Sequence, residues 1–451
     1  MASILRSRDT DMTEGSIPRL LINFAIPLLI GNVFQQLYNT VDSIVVGKFV
    51  GKQALAAVGC TGPIINMLIG LFAGLAGGAG VVISQYYGAK ENEKLRRAVH
   101  TAIAFTLILC VVLTLLGAWL APELLKLMDT PDEVFVEAVE YLRIYFWGLT
   151  GLLLYNIGSG ILRAVGDSTH PLYFLIFSAV TNTVLDLVFV AVFDMGIAGA
   201  AIATILAQFM SAVLTLRMLM RSKEDYRISV RDIGLDKRIF AKICSIGIPS
   251  AIQMAVTAFS NIFVQSYINH FDTNCIAGWT AYNKIDAFAM QPMMSLSMAL
   301  TTFVGQNLGA GKADRAKAGT KTGLKLGLAI MITLLIPLMV FAPQLTGLFN
   351  DDKQVVEFGT LFMRLISPFY VCLCINQVYS GSLRGAGDTR ATMFIMLGSF
   401  VAFRQIYLFI TYRLGGGIIP IALGYPAGWI ICSTLLLIYY HSGKWQRKIR
   451  V

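Results

Sequence analysis

Two aspartates, Asp42 and Asp186, stand inside long apolar stretches of this chain, and each has amide neighbours at helical spacing. Asn32, Gln35, Asn39 and Asp42 are separated by 3, 4 and 3 residues, which puts all four on one face of an otherwise apolar helix. Asn182 and Asp186 are four apart and share a face of another helix, and Asn156 and Thr204 add polar side chains from two further apolar stretches. An aspartate at the middle of a membrane helix costs about 2.5–3.5 kcal/mol on insertion scales, so its presence asks for a reason. Two carboxyl groups brought together in a low dielectric repel, which drives one of them toward its neutral form. Such a pair can take up a proton from one side of a membrane and release it to the other, or its oxygens can hold a sodium ion. The plainer reading of the amides and Thr204 is hydrogen-bonding glue between helices.

Composition fixes the kind of element that carries these groups. Of 451 residues, 56% are hydrophobic and 14% charged, against about 25% charged in soluble domains, which excludes a soluble globular fold. At roughly 20 apolar residues per crossing, twelve crossings consume about 240 residues and leave no room for a large domain outside the membrane. Apolar runs bounded by charge, Gly or Pro fall at about 20–46, 54–86, 98–120, 136–160, 171–193 and 196–219. A second set falls at about 240–268, 276–303, 320–342, 358–380, 391–413 and 418–440. The fold class expected is therefore an all-α membrane protein with twelve transmembrane helices in two sets of six.

With the N-terminus in the cytosol, cytosolic segments and the adjoining ends of their spans hold 27 of the 36 Lys and Arg and the outer ones hold 5, the bias of the positive-inside rule. That places both termini in the cytosol and accounts for the +10 net charge without a nucleic-acid partner. Arg6, Arg8, Asp9, Asp11 and Glu14 precede an apolar run without a small-residue cleavage pattern, so the first helix is expected to be retained. The seven cysteines form no CxxC pair and lie mostly in apolar runs, where they read as small buried residues.

The chain repeats itself. Gln85, Gly88 and Ala89 recur 221 residues later as Gln306, Gly309 and Ala310. Arg143 recurs as Arg364, and the loop of Leu162, Arg163, Gly166 and Asp167 recurs as Leu383, Arg384, Gly387 and Asp388. Near the start of each half the offset is 222, matching Pro27 to Pro249 and Asn39 to Asn261. Six helices is an even number, so the halves share one orientation, a parallel repeat suited to a transporter with two lobes. The expected lobes are residues 1–226 and 227–451, joined by the basic stretch 221–238. The Arg163/Asp167 and Arg384/Asp388 loops read as intracellular structural clamps.

Enzymatic and ATP-driven signatures are missing. No GxxxxGK[ST] phosphate loop, GxSxG elbow, HExxH or Cys/His cluster at metal spacing occurs, so a secondary active transporter without a resident cofactor is expected. The second half carries its own charges in apolar runs, Lys284, Asp286 and Arg404, and pairing of Asp286 with Arg404 or Lys284 would lower the cost of burying them.

Several segments together resemble the multidrug and toxic compound extrusion (MATE) transporters over nearly the whole chain. They are Pro27, Asn39 to Asp42, Val46 to Lys48, Ala54 to Ala57, Gly305 to Ala310, the paired LRxxGD loops, and Asn182 to Asp186. The resemblance implies two six-helix bundles and cation-coupled efflux of amphiphilic, mainly cationic compounds across the inner membrane, by a monomer in contact with membrane lipids. It implies a first-lobe cation site at Asp42 and Asp186 with Asn156, Asn182 and Thr204. It also implies drug contact at Gln35, with Asn39, Asp42 and Asn156 beside it, and a bending first helix at Pro27, where proline removes a backbone hydrogen bond. The NorM-like branch carries second-lobe acids where this chain has Asn261, Gln265, Asn376 and Gln377. That departure favours the DinF-like branch and protons, with sodium at Asp42, Asp186 and Asn182 as the alternative. The rival function is a flippase for lipid-linked sugars, which would want arginines for pyrophosphate.

Overall fold

Proline and glycine positions decide how the apolar runs become helices in the computed structural model, which describes residues 10–128 and 130–448. Arg6, Arg8 and Asp9 lie outside the described residues. Among the described residues, eleven helices are long and apolar enough to cross a membrane. In the first half they are Ile17–Val50, Gln53–Gly88, Asn92–Leu127, Thr169–Val192 and Gly196–Arg221. In the second they are Lys237–Ile268, Thr273–Gly309, Ala313–Val340, Lys353–Gly385, Thr389–Arg413 and Ile418–His441. The expected fourth span is present as two 16-residue helices, Asp132–Trp147 and Leu149–Ala164, broken at Gly148. With it the order is that of twelve spans, six in each half. Val111, Leu115 and Trp119, four residues apart on the third span, are largely exposed. An apolar stripe turned outward is what lipid solvates and water does not.

The chain forms two compact units. Among the described residues, one comprises 10–11 and Ile30–Ala251, the other Met12–Leu29 and 252–448. Covalent order suggested a boundary at 226/227, whereas compactness divides the first span after Leu29 and the seventh after Ala251. In both, the division falls two residues beyond the repeated proline, Pro27 or Pro249. A proline inside a helix removes one i→i−4 hydrogen bond, which gives each long span a natural place to change partners.

In the first unit the second and seventh spans meet backbone to backbone. A Cβ added at Gly74 would stand 2.5 Å from Ala251, and one at Gly78 would stand 2.5 Å from Gly247. Small residues four apart on each helix permit that approach. The segment before the seventh span packs on the third: Tyr226 and Ile228 are buried, Ser229 N–H donates to His100 Nε2 (2.9 Å), and Asp236 N–H donates to Thr101 Oγ1 (3.2 Å). The second unit has a parallel arrangement. Met12 N–H donates to Gln306 Oε1 (2.9 Å), Asn307 Nδ2 donates to the Met12 carbonyl (3.0 Å), and Lys312 Nζ donates to the Thr13 carbonyl (3.0 Å).

The repeated loops turn at Gly166 (φ +93°) and Gly387 (φ +82°), left-handed positions that glycine adopts without a Cβ penalty. Asp167 then caps the next helix by accepting from Thr169 N–H and His170 N–H, and its other oxygen meets His170 Nδ1. Asp388 accepts from the Tyr439 hydroxyl. All seven cysteines are free, four of them buried.

Candidate functional site

The polar face of the first span opens on a cavity of about 580 Å³ inside the first unit, within the roughly 300–1,000 Å³ range of small-molecule sites. Gln35, Tyr38, Asn39 and Asp42 line it from the first span and Asn66 from the second. Tyr141, Tyr145, Tyr155 and Asn156 come from the fourth span, Ser178 from the fifth, and Thr204, Gln208 and Ser211 from the sixth. Among the described residues, no Lys or Arg lines the cavity. The wall thus combines aromatic faces with neutral hydrogen-bonding groups and one carboxyl group. That combination offers ring faces, hydrogen-bonding groups and one acid to whatever enters it.

Asn182 and Asp186 are fully buried in the same unit. Asn182 Nδ2 donates to Thr204 Oγ1 (3.3 Å), and Tyr38 Oη lies 3.5 Å from the same hydroxyl, so the wall and the buried layer are joined through Thr204. The carboxyl groups of Asp42 and Asp186 are near enough to interact directly. Among the described residues, Asp42 Oδ1, both Asp186 oxygens and Asn182 Oδ1 are buried without a hydrogen-bond donor. An unsatisfied buried acceptor costs about 1–3 kcal/mol, more when charged. Four such atoms in one cluster therefore call for a proton or a hard cation, which oxygen ligands suit. Asn156 spends its amide N–H on the Leu152 carbonyl of its own helix (2.8 Å). Among the described residues no group of three His, Cys, Asp or Glu is placed to hold a metal ion.

Two of the three π-helical turns among the described residues lie next to Asp42 and Asp186. A π-helical turn, Val46–Val50, begins four residues after Asp42, and a second, Leu187–Val192, begins directly after Asp186. Such turns insert one residue into a helix and concentrate at functional sites. Pro27 lies inside the first helix.

The second half departs from expectation. Asp286 pairs with neither Arg404 nor Lys284; it accepts from the hydroxyls of Tyr370 and Tyr282. Lys284 is exposed, with its ammonium over the Phe349 ring at 5.6 Å. The physical reason is that residues two apart on a helix point in different directions, and that Arg404 is already engaged by Ser260 Oγ and Asn261 Oδ1, each at 2.8 Å.

Of the residues singled out in the sequence, Gln35, Asn39, Asp42, Asn156 and Thr204 share the cavity wall. Asn182 joins them through Thr204, and Asp186 through Asp42. The tyrosines were missed, as were Gln208 and Ser211. A signal existed: Tyr141 and Tyr145 are four apart, and Thr204, Gln208 and Ser211 are spaced 4 and 3, each set on one helical face.

Comparison with known proteins bears on the whole chain. The MatE family model matches residues 27–188 and 249–409, one block in each half. "Probable multidrug resistance protein YoeA" of Bacillus subtilis is 30% identical over 448 residues, covering 97% of this chain and 96% of the relative. "Probable multidrug resistance protein YpnP" of the same species is 31% identical over 439 residues, covering 97% of each. A solved MATE structure in complex with MaL6 superposes with a TM-score of 0.91 at 23% identity, covering 98% of this chain and 99% of that one, a likeness of fold.

Proposed function

The chain belongs to the MatE family, and from that premise we propose that it exports amphiphilic, mainly cationic drug-like compounds in exchange for inward protons. It is a multi-span membrane transporter and not an enzyme. The observation that carries the proposal is the position of Asp42, which stands at once on the wall of the 580 Å³ cavity and against the buried Asp186. A cationic substrate in the cavity and a proton on this pair compete for the same negative charge. Loading one therefore weakens the hold on the other, which is the requirement for antiport. One charge moved through 100 mV yields about 2.3 kcal/mol, enough to sustain a roughly 40-fold gradient of a substrate that carries no net charge.

The Lys and Arg bias supports a plasma-membrane orientation with both termini in the cytosol. The absence of Lys and Arg from the cavity lining argues against a flippase for pyrophosphate-linked lipids. Ethidium export from cells, or uptake into inverted vesicles, tests the reading. Transport by the wild type is expected to stop when the proton gradient is collapsed and to continue when only the sodium gradient is removed. Arrest by sodium removal alone would reassign the coupling ion, and active export by Asp42→Asn would sink the mechanism.

A further inference from the structure

The offset of the internal repeat is 222 at Asn39/Asn261 and 221 at Gln85/Gln306. The structure explains the change, because the π-helical turn Val46–Val50 puts one extra residue into the first half between those points. A π-helical turn in the second half, Gly398–Phe403, adds a residue back, and Leu187–Val192 in the first half cancels it again. Between these last two turns the offset is once more 222, so Asn182 corresponds to Arg404 and Asp186 to Leu408. In the 222 stretch of the first span Asp42 corresponds to Val264. Beyond the last turn the offset is 221, and Thr204 corresponds to Tyr425.

This register turns the first-half acid cluster into a quite different one. Its two carboxyl positions are taken by Val264 and Leu408, both fully buried. Arg404, 2% exposed, donates to Ser260 and Asn261, the counterparts of Tyr38 and Asn39. Its guanidinium lies 4.8 Å from the ring centroid of Tyr425, the counterpart of the Thr204 that Asn182 contacts. Among the described residues no carboxylate is within 4.0 Å of Arg404, and its Nε has no acceptor. Burying a guanidinium against neutral acceptors alone is costly, and an aliphatic residue at this site would avoid the cost. The chain nonetheless places a charge there.

We propose that Arg404 is a tethered cation. Its guanidinium occupies permanently the place in the second half that a proton or cation visits in the first, holding the second half in its loaded arrangement and confining ion exchange to Asp42 and Asp186. The part assigned to Asp42 and Asp186 rests on the function proposed above; the part assigned to Arg404 does not.

The test uses full-length protein in proteoliposomes and in detergent. Arg404→Lys is expected to keep most transport, and Arg404→Met, unbranched but shorter and neutral, to lose about tenfold or more, equivalent to about 1.4 kcal/mol. Arg404→Ala is expected to regain transport and thermal stability with low-millimolar guanidinium and not with urea, its neutral isostere. Near-wild-type transport by folded Arg404→Met overturns the proposal, as does equal rescue by urea or no rescue by guanidinium. If Arg404→Met does not fold, the Arg404→Ala rescue decides. Wild-type export indifferent to both ion gradients would sink the antiport reading, while guanidinium-specific stabilisation of Arg404→Ala would still support the tethered cation.

Discussion

Corresponding residues of the two halves build the cluster around Asp42 and the cluster around Arg404, yet the first is rich in unpaired acceptors and the second is organised around a donor. Asp42, Asp186 and Asn182 together leave four buried oxygens without a donor, whereas Arg404 spends its charge on Ser260, Asn261 and the face of Tyr425. Asp286, the second half's own membrane-embedded acid, is held by Tyr370 and Tyr282. A duplicated helical frame thus keeps its proline breaks and its repeated loops while the charge it encloses changes sign. The frame is held by packing of small and aliphatic residues, which does not depend on the polar groups inside. Function can diverge between the halves at little cost to the fold.

The largest effect should come from removing one acid in each half. Asp42→Asn is expected to abolish the proton-driven part of the steady-state substrate gradient, which at 100 mV is about 40-fold for a substrate that carries no net charge. Asp286→Asn should leave coupling near the wild type, because an amide oxygen still accepts from Tyr370 and Tyr282. Gradient-driven export measured for both variants breaks the comparison if Asp286→Asn uncouples as severely. The two prolines sharpen it next. Pro27→Ala should slow export by about tenfold, equivalent to about 1.4 kcal/mol in barrier, since Pro27 removes one backbone hydrogen bond from the helix that carries Asp42. Pro249→Ala, in a helix with Val264 at the matching place, should change the rate much less, and equal slowing by the two would remove this distinction.

Smaller still are the loop glycines. Ala at Gly166 or Gly387 pays roughly 1 kcal/mol for a left-handed backbone, and at Gly166 the new Cβ would also stand 2.2 Å from the Thr10 carbonyl oxygen. The thermal midpoint should therefore fall further for Gly166→Ala. The smallest effect belongs to the docked linker. A hydrogen bond from Arg96 holds the Asp232 carboxyl below the usual carboxylate range. Its contribution is complete above the ordinary carboxylate pKa and is lost as the pH falls through the depressed value. The group is exposed, so the change should be slight. Limited proteolysis of residues 222–236 near neutral and at acid pH, compared with Arg96→Ala, measures it.

Much of the candidate site is legible in the amino-acid sequence. The 3, 4, 3 spacing from Asn32 to Asp42 and the pair Asn182 and Asp186 announce themselves because helical periodicity is local. The partners of Asp286 are not legible in that way. Opposite charge suggested Lys284 or Arg404, but Lys284 turns away on its own helix, and the two tyrosine hydroxyls that bind Asp286 include one 84 residues distant. The tyrosines of the fourth span, Gln208 and Ser211 come from separate helices, and only the cavity brings them to one wall.

Composition, hydropathy and the Lys and Arg bias determined an all-helical membrane chain of two related halves, because the bilayer imposes length and polarity on each span separately. The change of offset from 222 to 221 was visible as well. Tertiary structure alone decided where the extra residues go, hence that Arg404 answers to Asn182, and that the long first and seventh spans change units just past their prolines. Those outcomes depend on which helix faces meet, and a pattern of residue types along one helix carries no information about the face opposite it.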